Sequence, residues 1–343
     1  MGCCEVCSCN TGFLNLEKKI NLKDRFYWFL ARTGLKRTGL SIKPGLYRLG
    51  NPDKNSDVFV TANYRLSVDA LKIGLKELDA WILVLDTKGL NVWCAAGKGT
   101  FGTQELISQI KQCKLTEIVN HKRLILPQLS APGVNSNEVF IKTGFKVFFG
   151  PVRAEDINQY ITNHYNADEK MRTVNFKFFD RIKLIPVELK LSLKYIFFFF
   201  ILFLAKNYFL LDEKSIKLII NNSLKNVIPV LGGLVCGTVL IPMFLPYIPF
   251  KAFFIKGFYV GVIYTVIIFN YLDYFGYGSI LEKFSVVIWT IVISSLSSLN
   301  FTGCSTYTSF SGVKKEIDIF YKPSIFFIVL GFIFYFSIIL LNK

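Results

Sequence analysis

The sequence predicts an α/β domain followed by an all-α transmembrane domain of five helices, and three observations predict it. The chain of 343 residues has a mean hydropathy of +0.41 and 34 phenylalanines, which is more apolar than an ordinary soluble domain. The apolar residues are unevenly spread: up to about Asn175 they are mixed with charge, whereas from Leu191 onward apolar runs dominate. Finally, the mixed part alternates strand-like and helix-like segments, the pattern of a mostly parallel sheet with helices on both faces. The expected divisions are an N-terminal segment 1–56, an α/β domain 57–175, a linker 176–190 and a membrane domain 191–343.

In the α/β part, "DVFVTANY" at 57–64 is a β-branched and aromatic strand. Residues 67–78 repeat apolar side chains at helical spacing, and "AWILVLD" at 80–86 is a continuous apolar run of the buried-strand type. Residues 103–113 read as a helix with Thr103 as a candidate cap, followed by the strands "RLILP" and "FKVFFG" and a last helix over 154–160. This is a Rossmann-like series, whose ligands bind beyond the carboxyl ends of the strands.

Five segments are apolar over roughly the 20 residues a bilayer crossing needs: 191–211, 227–248, 253–275, 284–299 and 324–341. Lys194 and Lys206 interrupt the first and are expected to snorkel. Pro229, Pro242, Pro246 and Pro249 predict a kinked or broken second span, and G-x-x-x-G at Gly233/Gly237 and Gly257/Gly261 predicts close helix packing inside one bundle. Few charges lie deep in the spans, so the membrane part reads as an anchor. No basic region followed by an apolar stretch opens the chain, and lysine and arginine are modestly enriched in the loops before span one and between spans four and five. The α/β domain is therefore expected in the cytoplasm, on a multi-pass inner-membrane protein. The formal charge of +16 is scattered and flanks apolar spans, which points to anionic lipid and not to nucleic acid.

The stretch "GLNVWCAAGKGTFGT" at 89–103 follows a strand end and contains Gly97, Gly99 and Gly102 in a G-x-G-x-x-G pattern. A dinucleotide loop needs its first glycine directly after the strand, but Gly97 comes well beyond Asp86, and Glu117 stands before its strand and not at its end. The P-loop pattern fails because Lys98 is followed by Gly99. A membrane-bound nucleotide-dependent oxidoreductase remains one reading. The other starts from Asn91 as a cap for a short helix of Val92, Trp93, Cys94, Ala95 and Ala96, closed by Gly97, Lys98 and Gly99. Small residues around one soft thiol leave room for a broad flat group, such as a planar metal macrocycle, to lie on that helix.

At these residues the chain resembles the corrinoid protein of microbial mercury methylation, whose signature N-(V/I)-W-C-A-(A/G)-G-K-G is matched at every position of 91–99. "VTANYRLS", "LPQLSAPGV", "TGFKVFFGPVRAEDI" and "NFTGCSTYTSFSGVKKE" extend the likeness over roughly residues 57–341. The resemblance implies a cobalamin whose own base is detached from cobalt, with Cys94 as lower axial ligand. It also implies methyl transfer to Hg(II), a methyl-donor methyltransferase, and a ferredoxin-like partner with two four-iron clusters. The same cofactor could serve another acceptor, as in the proteins of the acetyl-CoA pathway. The histidine-ligating pattern D-x-H-x-x-G is absent, because Val119 and Thr162 stand two positions before His121 and His164.

Thr61 and Asn63, at the end of the first predicted strand, are candidate corrin contacts with Lys98. Ser130 to Val134, "SAPGV", is a candidate loop for the nucleotide tail. Cys3, Cys4, Cys7 and Cys9 form C-C-x-x-C-x-C, a candidate for Hg(II) or other metal capture. Cys113 and Cys236 read as small apolar residues on helices, and Cys304 as an additional loop thiol.

Overall fold

A computed structural model describes residues 13–35, 39–211, 215–302 and 310–341, apart from the side chains of 310 and 338–341, in two compact units, Met1–Asn175 and Phe176–Lys343. The cluster Cys3, Cys4, Cys7 and Cys9 and the thiol of Cys304 lie outside the described residues.

The first unit is built on a six-stranded sheet in the order β1-β2-β4-β3-β5-β6. In chain order its elements are β1 (Leu14–Leu16), α1 (Leu22–Arg32), β2 (Gly45–Leu49), β3 (Val58–Ala62), α2 (Arg65–Gly74), β4 (Ala80–Leu85), α3 (Val92–Gly97), α4 (Thr103–Gln112), α5 (Leu115–Ile118), β5 (Arg123–Leu126), α6 (Ser136–Thr143), β6 (Lys146–Phe149), α7 (Ile157–Thr162) and α8 (Glu169–Arg172). Strands β4, β3, β5 and β6 are parallel, but β2 runs antiparallel to β4, so the sheet is mixed where the sequence predicts a mostly parallel one. The two extra strands and α1 come from residues before Asp57, a stretch too short in apolar runs to announce strands.

Every residue of β3 and β4 is buried, because the sheet is covered on both faces. Val58, Val60, Trp81, Leu83 and Leu85 pack with Val92, Ala95, Ala96 and Leu106 of α3 and α4 on one face. Phe59, Ile82 and Val84 pack with Val68, Leu71 and Ile157 of α2 and α7 on the other. Thr103 does not cap α4. Gly102 occupies the cap position without a side-chain bond, and the Thr103 hydroxyl accepts the Asn135 N–H at 2.8 Å.

Helix α1 is fastened to α2 by charge. Asp24 and Asp69 are both 1% exposed, and Lys72 at 3% stands 3.7 Å from each. Arg65 also bonds Asp24, and Trp28 Nε1 donates to Asp69 at 2.9 Å. Burial pushes the Asp24 carboxyl up, but the Asn21 N–H, Arg65 and Lys72 outweigh it and hold the group below the usual carboxylate range. Its stabilising contribution is therefore complete above about pH 4, the unfolded value, and is lost as pH falls through the lower folded value. Asp24→Ala should cost about 3 kcal/mol near neutral pH, because it breaks a buried ionic network from one side. Thermal melts of the two proteins should draw together as pH is lowered below about 4; a penalty independent of pH would contradict the ionic account.

The second unit contains α9 (Phe178–Ile182), α10 (Ile185–Leu210), α11 (Ile216–Val235), α12 (Ile241–Phe244), α13 (Phe253–Ile268), α14 (Ile280–Phe301) and α15 (Phe310–Leu341). Among the described residues four helical stretches are long and apolar enough to cross a membrane: Ile216–Phe244, Phe253–Tyr271, Ile280–Phe301 and Ser311–Ser337. The expected first span is helical within α10, but Glu188, Lys190, Lys194 and Lys206 lie along it, and it is not among the four. Lys206 does not snorkel. It is buried in an ion pair with Glu282, 2.7 Å away, so a charge pair lies inside a bundle expected to hold few. The proline-rich segment is not broken within Ile216–Phe244: Pro229 sits inside α11, which widens into a π-helical turn at Cys236–Leu240 and continues into α12, ending at Phe244 before Pro246.

Helix α14 is the centre of this bundle, and both G-x-x-x-G pairs pack against it. A Cβ on Gly233 would stand 2.6 Å from the Thr290 carbonyl oxygen, and on Gly237 or Gly257 2.4 or 2.6 Å from that of Ser294. Such approaches exclude any side chain, and they bring the Ser294 hydroxyl within 2.7 Å of the Gly257 carbonyl it donates to.

Candidate functional site

The parallel strands run β4-β3-β5-β6, so the chain reverses its direction of travel across the sheet between β3 and β5. Such a reversal leaves a crevice at the carboxyl ends of the two strands. A mostly apolar cavity of about 300 Å³ lies there. Phe59, Val60 and Thr61 of β3, Leu126 at the end of β5 with Pro127 after it, and Gly150, Pro151 and Val152 after β6 form its floor; Ser67 and Leu71 of α2, the cap Asn91, and Val92 and Trp93 of α3 form its sides.

Helix α3 starts where the sequence places it. The Asn91 side chain accepts the Cys94 N–H at 2.8 Å, and the helix ends at Lys98 and Gly99. Gly99 has φ +78°, a left-handed conformation open to glycine at little cost. A Cβ on Gly102 would stand 2.8 Å from the Gly99 carbonyl oxygen, and Gly97 is exposed on the outer face of α3. Gly99 and Gly102 thus each have a role in the turn that needs no phosphate.

The two faces of α3 differ from the expectation. Ala95 and Ala96 are buried, 0% and 6% exposed, and point into the core. Their smallness serves packing, since Gly133 approaches so closely that a Cβ there would lie 3.2 Å from Ala96 Cα and 2.3 Å from the Phe101 carbonyl oxygen. The outer face consists of half-buried Trp93 and Cys94 with exposed Gly97 and Lys98. One turn beyond Cys94 there is only glycine or a flexible lysine, so the sulfur is the one short reactive group on this face.

Thr61 is 4% exposed and lines the cavity, and its hydroxyl makes no hydrogen bond among the described residues. It is a buried polar group directed at an open space. Asn63 is different, because its amide is fully occupied inside the protein. Its Oδ1 accepts the N–H groups of Thr87 and Gly89 at 3.2 and 3.0 Å and lies 2.8 Å from the Thr87 hydroxyl, and its Nδ2 donates to Asp86 at 3.2 Å. Asn63 therefore holds the β4–α3 loop rather than a ligand. The Lys88 ammonium bonded to Asp86 holds that carboxyl below the usual range. Ser130 and Val134 are also spent on structure: residues Gln128–Gly133 form a 3-10 helix under α3, and the Ser130 hydroxyl donates to the Pro127 carbonyl at 2.8 Å.

Among the described residues, Cys113, Cys236 and His121 are unlike Cys94. Burial pushes the Cys113 thiol up, and Cys236 is enclosed in the helical unit. His121 is tied at both ring nitrogens, to the Ser56 carbonyl at 2.9 Å and to the Arg123 N–H at 3.1 Å. Among the described residues no three His, Cys, Asp or Glu side chains converge as a metal site. A bare ion would need such a set, whereas a metal that brings four equatorial donors in a macrocycle needs one axial ligand. Cys94 fits the second case: it does not line the cavity itself, but it follows Asn91, Val92 and Trp93, which do.

Residues 34–161 match the CO dehydrogenase/acetyl-CoA synthase delta subunit family. The matched part holds the cavity and Cys94. The acetyl-CoA decarbonylase/synthase complex subunit gamma of Archaeoglobus fulgidus is 31% identical over 137 residues, 39% of this chain and 28% of that protein. The subunit gamma of Methanothermobacter thermautotrophicus is 34% identical over 123 residues, 35% of this chain and 26% of that protein. The corrinoid/iron-sulfur protein large subunit of Moorella thermoacetica is 28% identical over 120 residues, covering 34% and 26% respectively. The chain thus spans about a quarter of the length of these relatives. The similarity is to corrinoid and acetyl-CoA-pathway proteins, and it supports a corrinoid protein of one-carbon metabolism without singling out mercury.

Pro127, Leu129, Gly150, Pro151 and Val152 line the cavity but escape the sequence reading. Gly150 and Pro151 directly follow a predicted strand, so the carboxyl-end rule applied to "FKVFFG" would have found them.

Proposed function

We propose that the first unit carries a corrinoid and acts in methyl transfer, with Cys94 as the residue that would hold its cobalt. The observation that carries this reading is the Cys94 sulfur, presented on the glycine-cleared face of α3 next to a cavity at the strand reversal. A corrinoid supplies, when bound, a cobalt that accepts a methyl group and gives it up. The residues of the chain do the rest. Asn91 fixes the first turn of α3 and with it the sulfur, Gly97 keeps the approach to the sulfur clear, and Trp93 forms a wall between that face and the cavity. The cavity's volume suits a nucleotide base with its ribose and not a whole macrocycle, and the Thr61 hydroxyl is a ready hydrogen-bond donor or acceptor for it.

Two methyl acceptors follow from two observations. The relatives' names favour a methyl carrier of the acetyl-CoA pathway. The unbroken N-V-W-C-A-A-G-K-G run favours Hg(II), a soft cation suited to accept a methyl group. A ferredoxin-like iron–sulfur protein and a methyl-donor methyltransferase are the partners this activity requires. The protein on this reading is a multi-pass inner-membrane protein with its first unit in the cytoplasm, and the four long apolar helices of the second unit support the membrane part of it.

Purified protein reconstituted with cobalamin should show visible corrinoid absorbance, which a nicotinamide-dependent oxidoreductase would lack. Cells given the gene and its iron–sulfur partner should convert Hg(II) to methylmercury; absorbance without methylmercury would leave the acetyl-CoA-pathway role. Thr61→Val removes only a hydroxyl and should weaken cobalamin binding by about 1 kcal/mol, several-fold in Kd. Unchanged affinity would remove Thr61 from the site.

A further inference from the structure

Helix α1 is inside-out. Its buried face carries Asp24 and Ala31, while Leu22, Phe26 and Phe29 are 82%, 57% and 56% exposed. Successive steps of about 100° place these three residues, with half-buried Leu30, in one stripe opposite Asp24 and Ala31. Lys23 borders the stripe on one side, and Arg25 and Arg32 on the other, all exposed. Burial of apolar surface cannot be what docks this helix, because its inward contacts are the Asp24, Arg65, Lys72 and Asp69 network and the Trp28 hydrogen bond. The network fixes the rotation of α1, and that rotation turns the aromatic residues outward.

We propose that α1 lies on the surface of a membrane containing anionic lipid, with Leu22, Phe26 and Phe29 in the acyl boundary and Lys23, Arg25 and Arg32 at the headgroups. The bordering cations select this occupant. An apolar stripe edged on both sides by lysine and arginine, with no exposed acidic residue along the helix, matches an interface that is apolar below and negatively charged above. A protein partner would instead call for acidic residues facing these cations. The inference rests on the membrane placement of the second unit but not on the corrinoid reading. It gives the first unit its own attachment to the bilayer and fixes which side of the unit faces the lipid.

The test uses the full chain in vesicles of phosphatidylcholine with or without phosphatidylglycerol, carrying a photo-crosslinking phenylalanine analogue at one position. The probe at Phe26 or Phe29 should form lipid adducts, several-fold more when phosphatidylglycerol is present, whereas the same probe at Ile141, which is 81% exposed on α6, should not. Reversing the border charges with Lys23→Glu, Arg25→Glu and Arg32→Glu should abolish the dependence on anionic lipid and leave the fold intact, since none of the three belongs to the buried network. Val266 on α13 is the reference for the bilayer. Lipid adducts at Val266 but none at Phe26 or Phe29, or adducts there to a second protein chain, overturn the proposal. Loss of lipid adducts at Val266 as well overturns the membrane placement itself.

Discussion

Cys94→Ala should abolish methyl transfer while leaving the fold and much of the cofactor affinity in place. The sulfur sits on the half-exposed outer face of α3, so its removal opens little core volume, and the Asn91 cap bonds the main chain of residue 94, not its side chain. Cobalamin can still reach the cavity past Thr61 and Trp93, but without an axial thiol its visible spectrum should shift, and methylmercury or any other methylated product should fall to background. Cys94→His should be nearly as damaging, since imidazole is longer, harder and a weaker donor. The spectrum and the rate report on the ligand, and a thermal melt reports on the fold. A variant that melts like the wild type and keeps both its spectrum and its activity would show that cobalt takes its ligand elsewhere.

Asn63→Ala should be the most destabilising single change near the site. It removes the acceptor for the Thr87 and Gly89 N–H groups and frees Asp86 from its amide partner, and Thr87 is 0% exposed. Leaving buried donors unpaired should cost about 3 kcal/mol, roughly 6–12 °C in Tm for a unit of this size. The loop these bonds hold leads directly into α3, so cobalamin affinity should fall with stability even though Asn63 touches no ligand. A variant with normal stability and a selective loss of affinity would instead return Asn63 to the list of direct contacts.

The parts of the fold that were legible in the sequence are those whose burial shows as a pattern. Strands β3 and β4 are covered on both faces and appear as unbroken apolar runs, while α2 and α4 repeat apolar residues at helical spacing. Strand β1 has three residues and β2 opens on Gly45, so neither carries a signal of that kind. In α1 the periodic apolar residues face outward, so the helix carries no core-facing signal, and none is read there from the sequence. At the site, the cap and the turn of α3 were legible because Asn91 and Gly99 each act within the helix. The inward role of Ala95 and Ala96 was not, because it depends on Gly133, far along the chain. The cavity draws on β3, α2, α3 and the segments after β5 and β6, a convergence that only the fold assembles.

The Lys206–Glu282 pair bears on how the second unit comes to exist. In a bilayer, a lone lysine near one end of α10 and a lone glutamate in the first turn of α14 are each costly, and neither helix is stable there with its charge unmatched. Their partners are separated in the chain by α11, α12 and α13, so α10 cannot take its final position until the rest of the bundle has been synthesised. The pair thus ties the seating of α10 to α14, the helix fitted to the glycines of α11 and α13.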